Sequence, residues 1–115
     1  MQAPTDIPGI IFIDIYTTQP QHQMKVAEIL SQVLVDTRAL YGDSYGRWLA
    51  GSIHQSVDGT RVIVYEHFSD RRAAEHIHGA RHSQPAEHAL NRLATRDRHL
   101  YTLFPFEEYA KPPRE

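Results

Sequence analysis

No cysteine occurs anywhere in the chain, which excludes disulfides, thiolate catalysis and Cys-ligated metal together. Long apolar runs are missing too: nothing approaches the roughly 18 residues needed to span a bilayer. The opening MQAPTDIPG has neither the basic start nor the apolar stretch of a secretory leader. The expectation is therefore a cytoplasmic protein. Charge of one sign is likewise absent, since 12 Lys and Arg face 14 Asp and Glu for a net −2. With no basic stripe and no acidic run, we expect no nucleic-acid partner and no membrane surface, and a small molecule instead.

What is present suits one domain. A chain of 115 residues buries roughly two thirds of its unfolded surface, enough for a single small core and a single pocket. Its 6 Tyr, 4 Phe and 1 Trp are spread along its length, and its 8 His make its charge sensitive to pH near neutrality. We divide it into an N-terminal arm at 1–9, where Pro4, Pro8 and Gly9 oppose regular structure, a folded domain at 10–106, and a polar C-terminal tail at 107–115.

The stretch from Gly51 to His82, GSIHQSVDGTRVIVYEHFSDRRAAEHIHGARH, organises the rest. Asp58-Gly59 is a strong hairpin signal between two strands. With Val57 and Thr60 flanking the turn, the register pairs Gln55 with Val62, Ile53 with Val64, Gly51 with Glu66 and Leu49 with Phe68. Alternation then sends Trp48, Ser52, His54, Tyr65 and His67 to one face, and leaves Glu66 on the other, largely apolar one.

Before this unit, Ile10 to Thr17 reads as a strand with Ile11, Ile13 and Ile15 on one side and Phe12, Asp14 and Tyr16 on the other. Thr18 and Gln21 have capping-box spacing, and the helix they open carries Val26, Ile29, Leu30, Val33, Leu34 and Leu40 before Gly42 stops it. After the hairpin, a helix begins at Ser69 or Asp70 with Ala73, Ala74 and Ile77 inward. It breaks near Gly79 or at Ser83-Gln84-Pro85 and resumes with Ala86, Ala89, Leu90 and Leu93 buried. Leu100 to Phe106 is the last strand.

The order β-α-β-β-α-β, its second helix in two pieces, predicts an α+β ferredoxin-like domain with a four-stranded antiparallel sheet and helices on one face. The other face, expected to hold Tyr16, Trp48, Tyr65 and Phe12, is too aromatic for water, so a homodimer through sheet faces is expected.

The segment VDGTRVIVYEHFSDRRAAEHI followed by His82 resembles the antibiotic biosynthesis monooxygenase family, whose members form dimeric α+β barrels. Phe68 stands at the family's strand-end aromatic position, usually Trp, with Ser69-Asp70 at the cap, Ala73 in the helix and His82 at the later histidine. The resemblance covers about Ile11 to Phe106. It implies a cofactor-free monooxygenase that converts an aromatic polyketide-type anthrone or naphthol to a quinone, with molecular oxygen as co-substrate and neither metal nor flavin. Oxygenases of the group often carry Asn four residues before the Trp; here Val64 and Phe68 occupy those positions, so two hydrogen-bond donors are lost.

On this reading Glu66 and Asp14 are the candidate bases, burial raising the affinity of Glu66 for a proton. His82 and His78 are the candidate acids or orienting groups, and Phe68, Val64, Trp48, Tyr65 and His67 line the substrate. Cyclisation of a poly-β-ketone is the alternative chemistry, since it needs only an acid and a base. Each residue also has a structural reading: Asp14 paired with an Arg or His across the sheet, Glu66 solvated at a rim, Phe68 in the core, His54 and His67 hydrogen-bonded inside the dimer. Glu75, His78 and His82, at i, i+3 and i+7, form a rival metal set interrupted by Gly79. Haem held by His78 or His82, and a binding subunit without catalysis, complete the field.

Overall fold

The computed structural model describes residues 9–42 and 46–109. Strand β1 (Ile10–Thr18) leads through one 3-10 turn at Pro20–His22 into helix α1 (Gln23–Tyr41), followed by β2 (Trp48–Gln55) and β3 (Arg61–Phe68). Helices α2 (Arg71–Arg81) and α3 (Pro85–Leu93), strand β4 (Ala94–Tyr101) and a short α4 (Phe106–Tyr109) complete it. The strands lie in the order β2-β3-β1-β4, every neighbouring pair antiparallel. This is the ferredoxin-like α+β arrangement. Most of the N-terminal arm lies outside the described residues, as does the tail beyond Tyr109; α4 occupies the start of that tail.

Alternation decides which residues the helices cover. Phe12, Asp14 and Tyr16 of β1 and Val62, Val64, Glu66 and Phe68 of β3 are all buried, whereas Ile13, Ile15, Ile63, Tyr65 and His67 between them are partly open. One core cluster joins Tyr16, Val62 and Val64 to Val26 and Leu30 of α1 and Leu90 of α3. The second joins Phe12, Trp48 and Phe68 to Ala74 and Ile77 of α2. Phe12 and Tyr16, expected on the exposed sheet face, therefore belong beneath the helices.

Trp48 moves for a different reason. The pairs Gln55 with Val62, Ile53 with Val64 and Gly51 with Glu66 form as expected, but an irregularity between Trp48 and Ala50 sets Trp48, not Leu49, opposite Phe68. One extra residue in a strand reverses the facing of everything beyond it. Trp48 thus turns under α2 and leaves Tyr65 and His67 behind on the open face. Gly51 makes room for its ring: a Cβ there would stand 2.6 Å from Trp48 Cζ2.

Local chemistry accounts for the element ends. Asp58 Oδ1 accepts from the Thr60 amide and hydroxyl and from the Ser56 hydroxyl, and Gly59 takes φ 82°. Asp70 Oδ1 caps α2 by accepting from the Ala73 amide at 2.8 Å. The expected capping box at Thr18 does not form; its hydroxyl donates instead to the Leu93 carbonyl at 2.6 Å, tying β1 to the end of α3. Strand β4 begins at Ala94 rather than Leu100, because β1 offers a full edge to pair with and tertiary pairing overrides the polar run Arg96 to Arg98, with Asp97 at its centre.

Candidate active site

Two neighbouring strands each place a carboxylate under the helices, and each is met by an arginine. Glu66 is 1% exposed. Arg81, at the last turn of α2, reaches it end-on, with Nη1 donating to Oε2 at 2.8 Å and Nη2 to Oε1 at 2.7 Å. Trp48 Nε1 adds a third donor to Oε1 at 2.9 Å. Arg81 Nη2 also donates to the Thr37 hydroxyl at 2.7 Å, whose own proton goes to the Val33 carbonyl. Burial alone would drive the Arg81 guanidinium toward neutrality, but the hydrogen bonds and charge of Glu66 outweigh it and raise its pKa. The expected free base at position 66 is thus an anion committed to three donors.

Asp14, 2% exposed, has the same fate on β1. Arg98 stands opposite it on β4 and donates Nε to Oδ1 and Nη2 to Oδ2, both at 2.8 Å. The third arm of that guanidinium, Nη1, lies 2.6 Å from His78 Nδ1. A guanidinium only donates, so Nδ1 is the acceptor and the neutral ring carries its proton on Nε2. Burial, then the charges of Arg98, Arg81 and Arg96, lower the His78 pKa to about 2. His78 therefore gives hydrogen bonds as a neutral ring and has no imidazolium proton to release at neutral pH.

Between these pairs and the helices lies a cavity of about 20 Å³, room for one water-sized guest. Asp14, Tyr16, Val64, Glu66, Arg81 and Arg98 line it from the sheet side and α2, and Leu30, Val33, Leu34, Gln84, Ala86, Glu87 and Leu90 close it from α1 and α3. Burial and then the charge of Asp14 raise the Tyr16 pKa, opposed by Arg96 and Arg98, so its phenol keeps its proton. Arg96 donates to Glu87 at 2.9 Å beside it. Among the described residues, two buried nitrogens at this site have no partner: His78 Nε2 and Arg81 Nε.

Of the residues singled out in the sequence, Glu66, Asp14 and Val64 meet in this cavity, and His78 adjoins it through Arg98. Phe68 is fully buried behind it against Phe12, edge to face at 5.3 Å. Trp48 does not line the cavity and reaches the site through its hydrogen bond to Glu66. Tyr65 and His67 lie on the opposite sheet face, and His82 is exposed at the exit of α2. The Glu75, His78 and His82 metal set has no geometry behind it: Glu75 pairs with Arg71 at 3.1 Å on the outer side of the helix. Among the described residues no group of three His, Asp or Glu is placed to hold a metal ion, and no helix is long and apolar enough to cross a membrane. Arg81, Arg98, Tyr16 and Thr37 were not foreseen. Two inward carboxylates on adjacent strands were the available signal, because buried anions need buried cations.

The geometry can be set beside solved structures. A monooxygenase from the gene ActVA-Orf6 of Streptomyces coelicolor, solved with nanaomycin D, superposes with a TM-score of 0.68 at 20% identity, over 89% of this chain and 95% of that one. The chain has the fold of the antibiotic biosynthesis monooxygenases. A protein of Nitrosomonas europaea whose name places it in that group gives a TM-score of 0.63 at 16% identity, over 84% of this chain and 92% of its own. The cofactor-independent oxygenase SnoaB of Streptomyces nogalater gives 0.57 at 16%, over 84% and 94%. No family model and no curated protein matches the sequence.

Proposed function

We propose that this chain is a cofactor-independent monooxygenase that oxidises an electron-rich aromatic of polyketide type, an anthrone or a naphthol, to a quinone. The single observation that carries the reading is the cavity between sheet and helices, in which a protonated tyrosine and two arginine–carboxylate pairs face apolar side chains of α1 and α3. The likeness to SnoaB and to the ActVA-Orf6 protein supports it.

The balanced reaction converts one ring CH₂ (or a para C–H with its phenol) and one O₂ to a carbonyl and one water. The substrate loses four electrons and dioxygen gains them, so no external reductant is consumed. Triplet oxygen takes its first electron only from a very electron-rich donor, here the phenolate or enolate. The resulting peroxide needs a proton before water can leave, and Tyr16, whose burial keeps its proton, supplies it. Glu66 and Asp14 serve as the anions that position Arg81 and Arg98, and the guest gives its acidic proton to solvent water, from which the hydroxide later lost from the peroxide is neutralised. A bicyclic or tricyclic guest exceeds the closed cavity, so turnover requires α3 to part from α1.

The chain acts as a homodimer. Ile13, Ile15, Ile63 and Tyr65 form a partly open apolar stripe on the sheet face opposite the core residues Phe12, Tyr16, Val62 and Val64, and a second copy is the partner that buries it. Ile13→Asp should turn a dimer into a monomer by sedimentation. The decisive measurement is oxygen uptake by metal-stripped protein given anthrone or a dihydroxynaphthalene. Saturable consumption with quinone formed mole for mole is expected; none above the blank refutes the proposal, and equal turnover without oxygen makes the protein a cyclase.

A further inference from the structure

The geometry points to an acid-sensitive dimer: protonation of three histidines on the sheet face that a second copy covers drives the two copies apart. The inference rests on the homodimer proposed above and concerns what governs it. The strand registers fix where each ring stands, because residues directly opposite one another share a sheet face. His67 of β3 lies opposite Ile11, His99 of β4 opposite Ile13, and His54 of β2 opposite Ile63, which itself lies opposite Ile15. Three different strands thus each bring one histidine to the same apolar stripe.

With neutral rings the face suits a second copy. Its middle is apolar and its rim polar, the anatomy of a protein interface, and the fixed charges that the registers place on it, Arg61 of β3 and Asp97 of β4, cancel. The phenols of Tyr65 and Tyr101 are its other titratable groups. With protonated rings it does not, because a twofold interface sets the same patch against itself and every added charge meets its own kind. Asp97 is the one carboxylate on the face among the described residues, and its Oδ1 lies 3.0 Å from His99 Nε2 of the same copy. It can answer that ring and no other. His54 Nε2 lies 3.0 Å from the Ser52 hydroxyl, a neutral partner, and Gly9 stands so close to the His67 ring that a side chain there would strike it. A ring that gives up its proton on association has its pKa lowered in the dimer. Its contribution is therefore present at the higher pH and lost as pH falls through the range, about 5–8, in which histidine ordinarily titrates.

Sedimentation equilibrium at about pH 8 and about pH 5.5, at one ionic strength and with folding at both checked by circular dichroism, tests this. The dimer dissociation constant should rise about 100-fold or more at the lower pH, which His54 and His67 of the two copies supply if each ring loses about half a unit of proton affinity on association. His54→Gln/His67→Gln keeps polar side chains at both places, should stay dimeric at the higher pH, and should cut the rise to about tenfold or less. Asp97→Asn leaves Arg61 unbalanced and His99 without a counterion. Its dimer should be severalfold weaker than the parent's already at about pH 7, which keeps the test open if acid unfolds the chain before it dissociates. A dimer equally tight at both pH values, a rise unchanged in the double variant, or an Asp97→Asn dimer as tight as the parent's overturns the histidine account and leaves the dimer standing. A monomer at both pH values removes the dimer itself, and this inference with it.

Discussion

Replacing Arg81 by methionine tests the polar interior directly. Arg81 is the source of two of the three hydrogen bonds that Glu66 accepts, at 2.7 and 2.8 Å, and of a further one to Thr37. Methionine fills part of the volume but leaves a carboxylate that is 1% exposed with Trp48 as its remaining donor. Breaking a buried pair from one side costs about 3–5 kcal/mol, a large share of the roughly 5–15 kcal/mol that holds a domain of this size together. The melting temperature should fall by on the order of 20 °C, at ~4–8 °C for each kcal/mol. Urea unfolding followed by circular dichroism and by the emission of Trp48, the single tryptophan, measures it, with the midpoint falling and the slope unchanged. The double variant Glu66→Leu/Arg81→Met removes both charges and should recover to within about 2 kcal/mol of the parent, because apolar replacement of a buried pair is often neutral. A loss under about 1 kcal/mol in Arg81→Met, or a double variant no better than the single, would refute the account of Arg81 as the compensating charge.

Further outcomes follow from the same geometry. Because the folded-state pKa of His78 lies near 2 against an ordinary value of 6.5, the unfolded chain binds the proton more readily, so its contribution is complete above about pH 6.5 and is lost as pH falls. His78→Phe should flatten stability against pH between about 6 and 4.5, removing a slope of up to ~1.4 kcal/mol per unit. Asp58 should titrate near 2 by NMR, held down by the hydroxyl and amide of Thr60 and the hydroxyl of Ser56; its contribution is present above the ordinary 3.8 and lost as pH falls through about 2. Gly59→Ala should destabilise by about 1–2 kcal/mol in urea, since φ at that position is 82°. Gly51→Val would place its Cβ against the Trp48 ring and should shift Trp48 emission; unchanged emission would count against the bulge.

How far these features could be read from the sequence depended on whether local pattern or distant pairing set them. The Asp58-Gly59 turn fixes its own register, and Gln55 opposite Val62 follows from the turn alone. Asp70 is a local cap and was equally legible. Trp48 was not, because one irregular residue at the start of β2 reverses its facing, and only the packing of its ring over Gly51 and its bond to Glu66 favour that bulge. The start of β4 was hidden by composition: Thr95, Arg96, Asp97 and Arg98 include no apolar residue, yet two of them are the inward positions of an edge strand beside Tyr16 and Asp14. With that strand expected to start at Leu100, Arg98 had no place in the site, and nothing in the helix pattern singled out Arg81. Both carboxylates were located, and an Arg or His partner across the sheet was expected for Asp14, but neither Arg98 nor Arg81 was named: a strand shows which face a charge takes, not which neighbouring strand or helix will answer it.

On the proposed function, the charges at the site favour a weak acid over a ready-made anion as the ligand. Glu66 pairs with Arg81, Asp14 with Arg98 and Glu87 with Arg96, three anions against three cations, and His78 is neutral. The sum is zero. A carboxylate or phosphate arriving from water would surrender its hydration to a chamber with no surplus cation, a transfer that buried sites seldom repay. A phenol enters uncharged, so that desolvation cost does not arise on the way in. What the chamber offers instead is fixed polarity: two guanidinium groups held in place by Glu66 and Asp14 before any guest arrives. On the proposed function, a guest that ionises only after entry would meet oxygen as an anion inside the chamber, shielded from water by the apolar side chains of α1 and α3.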